Sequence, residues 1–300
     1  MISYSDTSLT ISEALETNCI VWIHSLPDNE LGPTRRILED LDGLSIADGF
    51  QLFEFSVGNR AEFENVLGNL ISNAVQGWRP ILHVDAHGTA EDGLLFAPSG
   101  DRMSWIEIIG LLRGLNIATA NNLTCVFALC FGLHLYKQVS LMEPVPAYLF
   151  IAPPSEVSVG FLEAQTFAFY REVNHTNNVT AAFTSTLSEN MELIHCQGLF
   201  FQSLLRYVYK YCAGRGRRER QEQLVTAILE RNKISEPTSA HLKPVRQAIR
   251  ESLKPGQELI DQLAPKFLIN RAAAFEYTDL DKALQHSKEF RQSNKGASAS

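Results

Sequence analysis

What this 300-residue chain lacks narrows its possible roles first. It has no excess of basic charge. Lys and Arg number 26 against 34 Asp and Glu, a formal balance of −8, so the long-range field repels polyanions and argues against nucleic acid as a partner. The one basic run, "GRGRRER" at 214–220, reads as a solvated helix end or turn. Long apolar runs are missing too: no window approaches the ~20 apolar residues needed to span a bilayer. The opening "MISYSDTSLTISEALET" carries neither the basic n-region nor the apolar h-region of a secretory leader. A cytoplasmic protein with no membrane partner is expected. Cysteines are few: Cys19, Cys125, Cys130, Cys196 and Cys212. Their odd count, wide spacing and lack of a CxxC pair argue against a disulfide framework and a zinc site. Each thiol is therefore either a small buried apolar group or a reactive one. No Gly-x-Gly-x-x-Gly follows the first apolar run, no P-loop signature occurs anywhere, and there is no internal repeat, so no cofactor is expected.

What is present is an alternation. "CIVWIHSL" (19–26), "FQLFEFSV" (50–57), "RPILHVDA" (79–86), "LTCVFALC" (123–130) and "AYLFIAPP" (147–154) read as buried strands. Between them lie helical stretches at "TRRILEDLDGL", ending near Gly43, at 60–78, and at 104–118 with Ser104 as N-cap. "GLLFAPSGDRMSW" has the pattern of a small hairpin. After about residue 190 strand signals thin and the chain reads as helices, ending in "NKGASAS", a polar tail expected to be disordered. Strands alternating with helices predict an α/β fold with a mostly parallel sheet covered on both faces, plus a helical C-terminal region. In such folds functional residues collect in loops beyond the carboxyl ends of the strands.

Two side chains stand at such ends. His87 follows the third strand and Cys130 the fourth, 43 residues later, and both are closely followed by glycine, in "HG" and "CFG". A thiol needs a base to become a strong nucleophile, and an imidazole within hydrogen-bond reach supplies it and then protonates the leaving amine. The amides of Gly88 and Cys130 are candidates for an oxyanion hole. Each residue alone has an ordinary structural explanation; the two together, glycine-flanked and on one sheet edge, point to a dyad. Other histidines fit less well. His24 and His83 lie inside buried-looking strands. His134 sits one helical turn beyond Cys130. His195 and Cys196 are sequence neighbours, whose side chains point apart in a strand or helix. Asp85 alternates with His87 along its strand and either reaches the site or plays a structural polar role. A doubly wound nucleotide-binding enzyme and a non-catalytic interaction module remain as alternatives.

"ILHVDAHG…DGLLF" followed by "LTCVFALCFG" resembles the caspase-like cysteine peptidases, and within them the CHAT-domain branch. The resemblance covers about residues 17–190 and includes "AYLFIAPPSEVS" and "FLEAQTFAFYREV…NVTAAF". The caspase signature is Gln-Ala-Cys-x-Gly with its histidine about 50 residues upstream; here the run is Ala-Leu-Cys-Phe-Gly, with Ala128 at the glutamine position. The resemblance implies a three-layer caspase-like sandwich over residues 1–190. The helical stretch over 191–290 resembles no family and is read as a regulatory or docking extension, followed by a tail at 291–300. The resemblance also implies that Cys130 is the nucleophile, His87 the base and Gly88 an oxyanion amide, and that substrate adds in extended form beside the fifth strand. Asp85, Ser155, Glu156 and Ser158 are candidate substrate-binding residues. Relatives that cut after Arg or Lys carry an Asp two residues before the nucleophile, where this chain has Ala128. Asp-cleaving relatives use an arginine after the first strand, and Arg35 and Arg36 lie in that region but read as an exposed helix start. The function so implied is an endopeptidase that cleaves a partner protein in a regulated bacterial defence or cell-death pathway under a sensor protein. An inactive module that binds partners is the alternative.

Overall fold

The computed structural model describes residues 15–285 except 213, 235 and 253. The disordered tail expected at 291–300 lies outside the described residues. Two compact units are found. Of the described residues, one comprises 15–196 and 267–271 and the other 197–266 and 272–285.

The larger unit is an α/β fold around a mostly parallel, mixed eight-stranded sheet. Its elements run β1 (Cys19–Ser25), α1 (Leu31–Asp48), β2 (Gln51–Ser56), α2 (Arg60–Val75), β3 (Pro80–Thr89), β4 (Gly93–Phe96), β5 (Asp101–Met103), α3 (Trp105–Ala118), β6 (Thr124–Ala128), a 3-10 helix (Gly132–Gln138), β7 (Leu149–Ala152), α4 (Val159–Thr176), α5 (Val179–Thr186) and β8 (Glu192–His195). The sheet order is β2-β1-β3-β6-β7-β8, with the β4–β5 hairpin attached to the end of β3. β1, β3 and β6 are central and buried on both faces, which is why their sequences are nearly continuous apolar runs. β2 is an edge strand, and its outer residues are exposed in alternation.

Strand periodicity sorts the central side chains onto two faces. Val21, Ile23, Leu82, Val84, Cys125 and Phe127 pack under α2 and α3 in the main core. α2 begins with Asn59 accepting a hydrogen bond from the Glu62 N–H, and α3 with the Ser104–Glu107 capping box, Ser104 being the N-cap that its sequence predicts. The opposite face is more polar. Trp22 stacks on His83 with ring centroids 3.5 Å apart, and His83 Nδ1 is 2.9 Å from the Tyr170 hydroxyl of α4. The Thr34 hydroxyl of α1 donates to Asp85 of β3 at 2.6 Å. These polar contacts tie α1 and α4 to the sheet.

Three expectations need correction. α1 does not end near Gly43 but continues to Asp48; Gly43 is exposed with no atom near its missing Cβ, so it costs the helix only about 1 kcal/mol relative to Ala. The sheet does not stop before residue 190, since β8 adds an antiparallel edge beside β7, pairing Ile151 with Leu193. Substrate addition beside the fifth strand is blocked, because β7 is paired by β6 on one side and β8 on the other; only the segment after it, from Pro153, lies outside the ladder.

The second unit is helical: α6 (Cys196–Tyr211, its first residue still in the larger unit), α7 (Gly214–Arg231), α8 (Ser239–Ser252) and α9 (Gln257–Phe267), then helical residues 277–285. Val225 of α7 and Ile249 of α8 form a small apolar centre, flanked by the Glu222–Arg246 ion pair at 2.8 Å. No helix among the described residues is long and apolar enough to cross a membrane.

Candidate functional site

The chain runs from β1 to β2 on one side and then to β3 on the other. A crevice therefore opens beyond the carboxyl ends of β1 and β3, where the winding reverses direction. A cavity of about 320 Å³ occupies that position. His87 and Cys130 both line it. β3 and β6 pair in parallel with Asp85 opposite Ala128; two residues further along each chain, in step with that register, stand His87 and Cys130. Both are partly accessible: His87 is 45% exposed, and Cys130 is the one cysteine of the five that is not buried.

Local structure explains the glycines. A Cβ on Gly88 would lie 2.4 Å from the Cys130 carbonyl oxygen and 2.5 Å from a Leu129 methyl carbon. Only glycine lets the chain after His87 approach the chain at Cys130 so closely. Past the thiol the chain turns sharply. Phe131 takes a left-handed conformation (φ +60°) and its N–H donates to the Ser155 carbonyl at 2.9 Å. A non-glycine residue there carries about 1 kcal/mol or more of backbone strain. Gly132 then fits against Ala152 and Phe127, where a Cβ would come within 3.0 Å.

The imidazole has a partner that the sequence did not reveal. His87 Nε2 is 2.9 Å from a carboxylate oxygen of Glu30, in the loop between β1 and α1. The two groups stand within ion-pair distance, so the carboxylate can balance a positive charge that forms on the ring. Cys130 Sγ is 3.9 Å from the Val157 carbonyl oxygen, and among the described residues no hydrogen bond joins it to His87. Thiol and imidazole thus share a cavity without touching in this resting state. Catalytic hydrogen bonds of this kind commonly tighten only when substrate is bound.

Asp85 lies on the cavity wall and accepts from Thr34. Burial raises its pKa to about 6, opposed by the Thr34 hydrogen bond and by nearby His24 and His87. The loop after β7 meets the cavity through Val157 and Val159. Ser155, Glu156 and Ser158 are not part of that lining: the Ser158 hydroxyl caps α4 by accepting from the Phe161 N–H, and Ser155 contributes its carbonyl to the Phe131 turn. Arg36 lies outside the cavity lining and pairs with Glu163 at 2.5 Å.

The other four histidines weighed from the sequence are accounted for elsewhere. His83 is buried, its pKa lowered to about 3 by desolvation. His24 bonds Glu54 at 2.9 Å. His134 sits between the Ala90 carbonyl (3.1 Å) and the Lys137 ammonium (2.8 Å). His195 and Cys196, whose side chains were expected to point apart, are in contact, with Sγ 3.9 Å from Nδ1, but both are buried. Among the described residues no group of three or more His, Cys, Asp or Glu is arranged to hold a metal ion.

Neither a scan against protein-family models nor a search of the curated proteins finds a match to this chain.

Proposed function

We propose that this chain is a cysteine endopeptidase of the caspase-like, CHAT-type architecture, using Cys130 as nucleophile and His87 as general base to cut a partner protein. One observation carries the reading: residues 43 apart in sequence share a single accessible cavity, at the carboxyl ends of adjacent parallel strands, with Gly88 pressed against the Cys130 backbone. In this reading the His87 imidazole removes the thiol proton, the thiolate adds to the substrate carbonyl, and the imidazolium returns the proton to the leaving amine. Water then hydrolyses the thioester with His87 again as base. The backbone N–H groups of Gly88 and Cys130 are assigned to the developing oxyanion. Glu30 is a positioning residue whose charge, within ion-pair distance, stabilises the imidazolium as it forms. A docking or regulatory role for the helical second unit, a protein sensor and a cytoplasmic setting are further parts of this proposal.

A second reading, a non-catalytic module that binds partners, is favoured by one feature: the Cys130 thiol faces the Val157 carbonyl instead of the imidazole. Co-expression with candidate partner proteins separates the two. The proposal expects new fragments of one partner with the wild type and none with Cys130→Ala; identical partner behaviour with both forms supports the module.

A further inference from the structure

The cavity beside the thiol has a chemical character of its own: an apolar wall with three carboxylates, of which one lies near no fixed cation. At about 320 Å³ it lies near the lower end of ligand pockets, roughly 300 Å³, which suits one long side chain. Leu26, Pro33, Ile37 and Leu162 supply apolar lining along its depth. Among the described residues no lysine or arginine lines it; its carboxylates are Asp85, Glu30 and Glu163. Glu30 is engaged by His87 and Glu163 by Arg36. Asp85 has only a neutral donor, the Thr34 hydroxyl. The groups around it are Thr34 from α1, His24 from β1, His83 and His87 from β3, Glu30 from the loop and Glu163 from α4. A half-buried carboxyl with no fixed cation beside it is poorly solvated, and an incoming ammonium or guanidinium relieves that.

Its position matters as much as its charge. Asp85 is paired in register with Ala128, which lies two residues before the thiol. The carboxyl that Ala128 cannot provide is supplied at the same level of the sheet by the neighbouring strand. Resting on the peptidase reading above, we propose that this cavity is the specificity pocket for a lysine or arginine side chain immediately before the scissile bond, with Asp85 receiving the cation and the apolar wall covering its methylenes. Burial raises the Asp85 pKa to about 6, so recognition of the cation weakens as pH falls through that value. An acidic side chain is excluded by the same carboxyl.

The test uses three peptidyl acyloxymethyl ketones that differ only at the last residue, which is lysine, norleucine or aspartate, with Cys130 modification on the whole chain followed by peptide mapping. The lysine probe is expected to react at least about tenfold faster than the norleucine probe, since the latter leaves the carboxyl unpaired, and the aspartate probe not measurably. Asp85→Asn should bring the ratio of the lysine to the norleucine rate down to about one, and adding Ala128→Asp to that variant should restore the ratio. Equal lysine and norleucine rates in the wild type, or an advantage that survives Asp85→Asn, overturn the pocket assignment and leave the thiol reading standing. Failure of every probe to modify Cys130 removes the thiol reading, and the pocket assignment with it.

Discussion

Two cysteine–histidine pairs in this chain make opposite cases. Cys196 and His195 are adjacent in sequence and in contact at 3.9 Å, at the junction of β8 and α6. Cys130 and His87 are far apart in sequence and share a cavity without a hydrogen bond. The touching pair is buried: desolvation and the nearby Arg271 charge lower the His195 pKa to about 4, and the Asn121 amide donates to the Cys196 sulfur at 3.7 Å. A base that resists protonation, next to a thiol that no peptide reaches, has no reaction to run. The separated pair has access, a neighbouring cavity, a carboxylate within ion-pair distance of the imidazole, and a strained turn just past the sulfur. Contact between thiol and imidazole is thus a poor guide to chemistry; room for a substrate at a topological switch point is a better one.

The comparison breaks most sharply by substitution. Cys130→Ala should lower partner cleavage by at least about 10³-fold, because a nucleophile has no substitute. Cys196→Ala should leave cleavage intact and cost about 1 kcal/mol of stability through the small void it creates. Chemical denaturation and a cleavage assay on both variants decide it; equal losses of cleavage would erase the distinction. Gly88→Ala comes next, since its Cβ would collide with the Cys130 carbonyl. Backbone must shift, at a cost of roughly 1–3 kcal/mol, and cleavage should fall even where the fold survives; a denaturation midpoint equal to the wild type's would contradict the close approach.

Glu30→Gln sharpens the picture at the imidazole. Gln keeps the size of the side chain but carries no charge to stabilise the imidazolium, so turnover should drop by about tenfold, with substrate affinity little changed. The effect is kept modest because both groups are nearly half exposed and solvent screens the pair. An unaltered turnover number would remove Glu30 from the mechanism. The smallest effect is on stability against pH. His83 and His195 have folded pKa values near 3 and 4, depressed by burial below the unfolded value. The unfolded chain therefore binds more protons below about pH 6.5, and stability present above that pH is lost on acidification. Asp85, raised to about 6, works in the opposite direction, gaining stability as pH falls through 6. Two histidines outweigh one carboxyl, so the urea midpoint should fall from pH 7 to pH 5, and fall more steeply in Asp85→Asn. A flat profile would show that the histidines are solvated.

Much of this was legible before any coordinates. β1, β3 and β6 announce themselves as continuous apolar runs because both faces are buried, and Ser104 marks the start of α3 because capping is a local interaction; its partner Glu107 was not read from the sequence. His87 and Cys130 were legible because strand ends can be read from where such runs stop. β8 was not: its four residues earn strand geometry only by pairing with β7, more than 40 positions away. Glu30 was invisible for a related reason. It lies in a loop without periodicity, and its meaning comes from an imidazole 57 residues further on. The carboxyl level with Ala128 also needed the β3–β6 register, since sequence alone shows only that Ala128 is not acidic.

The most direct test of the account is iodoacetamide labelling of the native chain, with the rate at each cysteine read by peptide mapping in wild type and His87→Ala. The account predicts that Cys130 reacts at least about tenfold faster than the buried Cys125 and Cys196, and that its rate at neutral pH falls when the imidazole is removed. A Cys130 that reacts no faster than Cys125, or whose rate ignores the loss of His87, would contradict it.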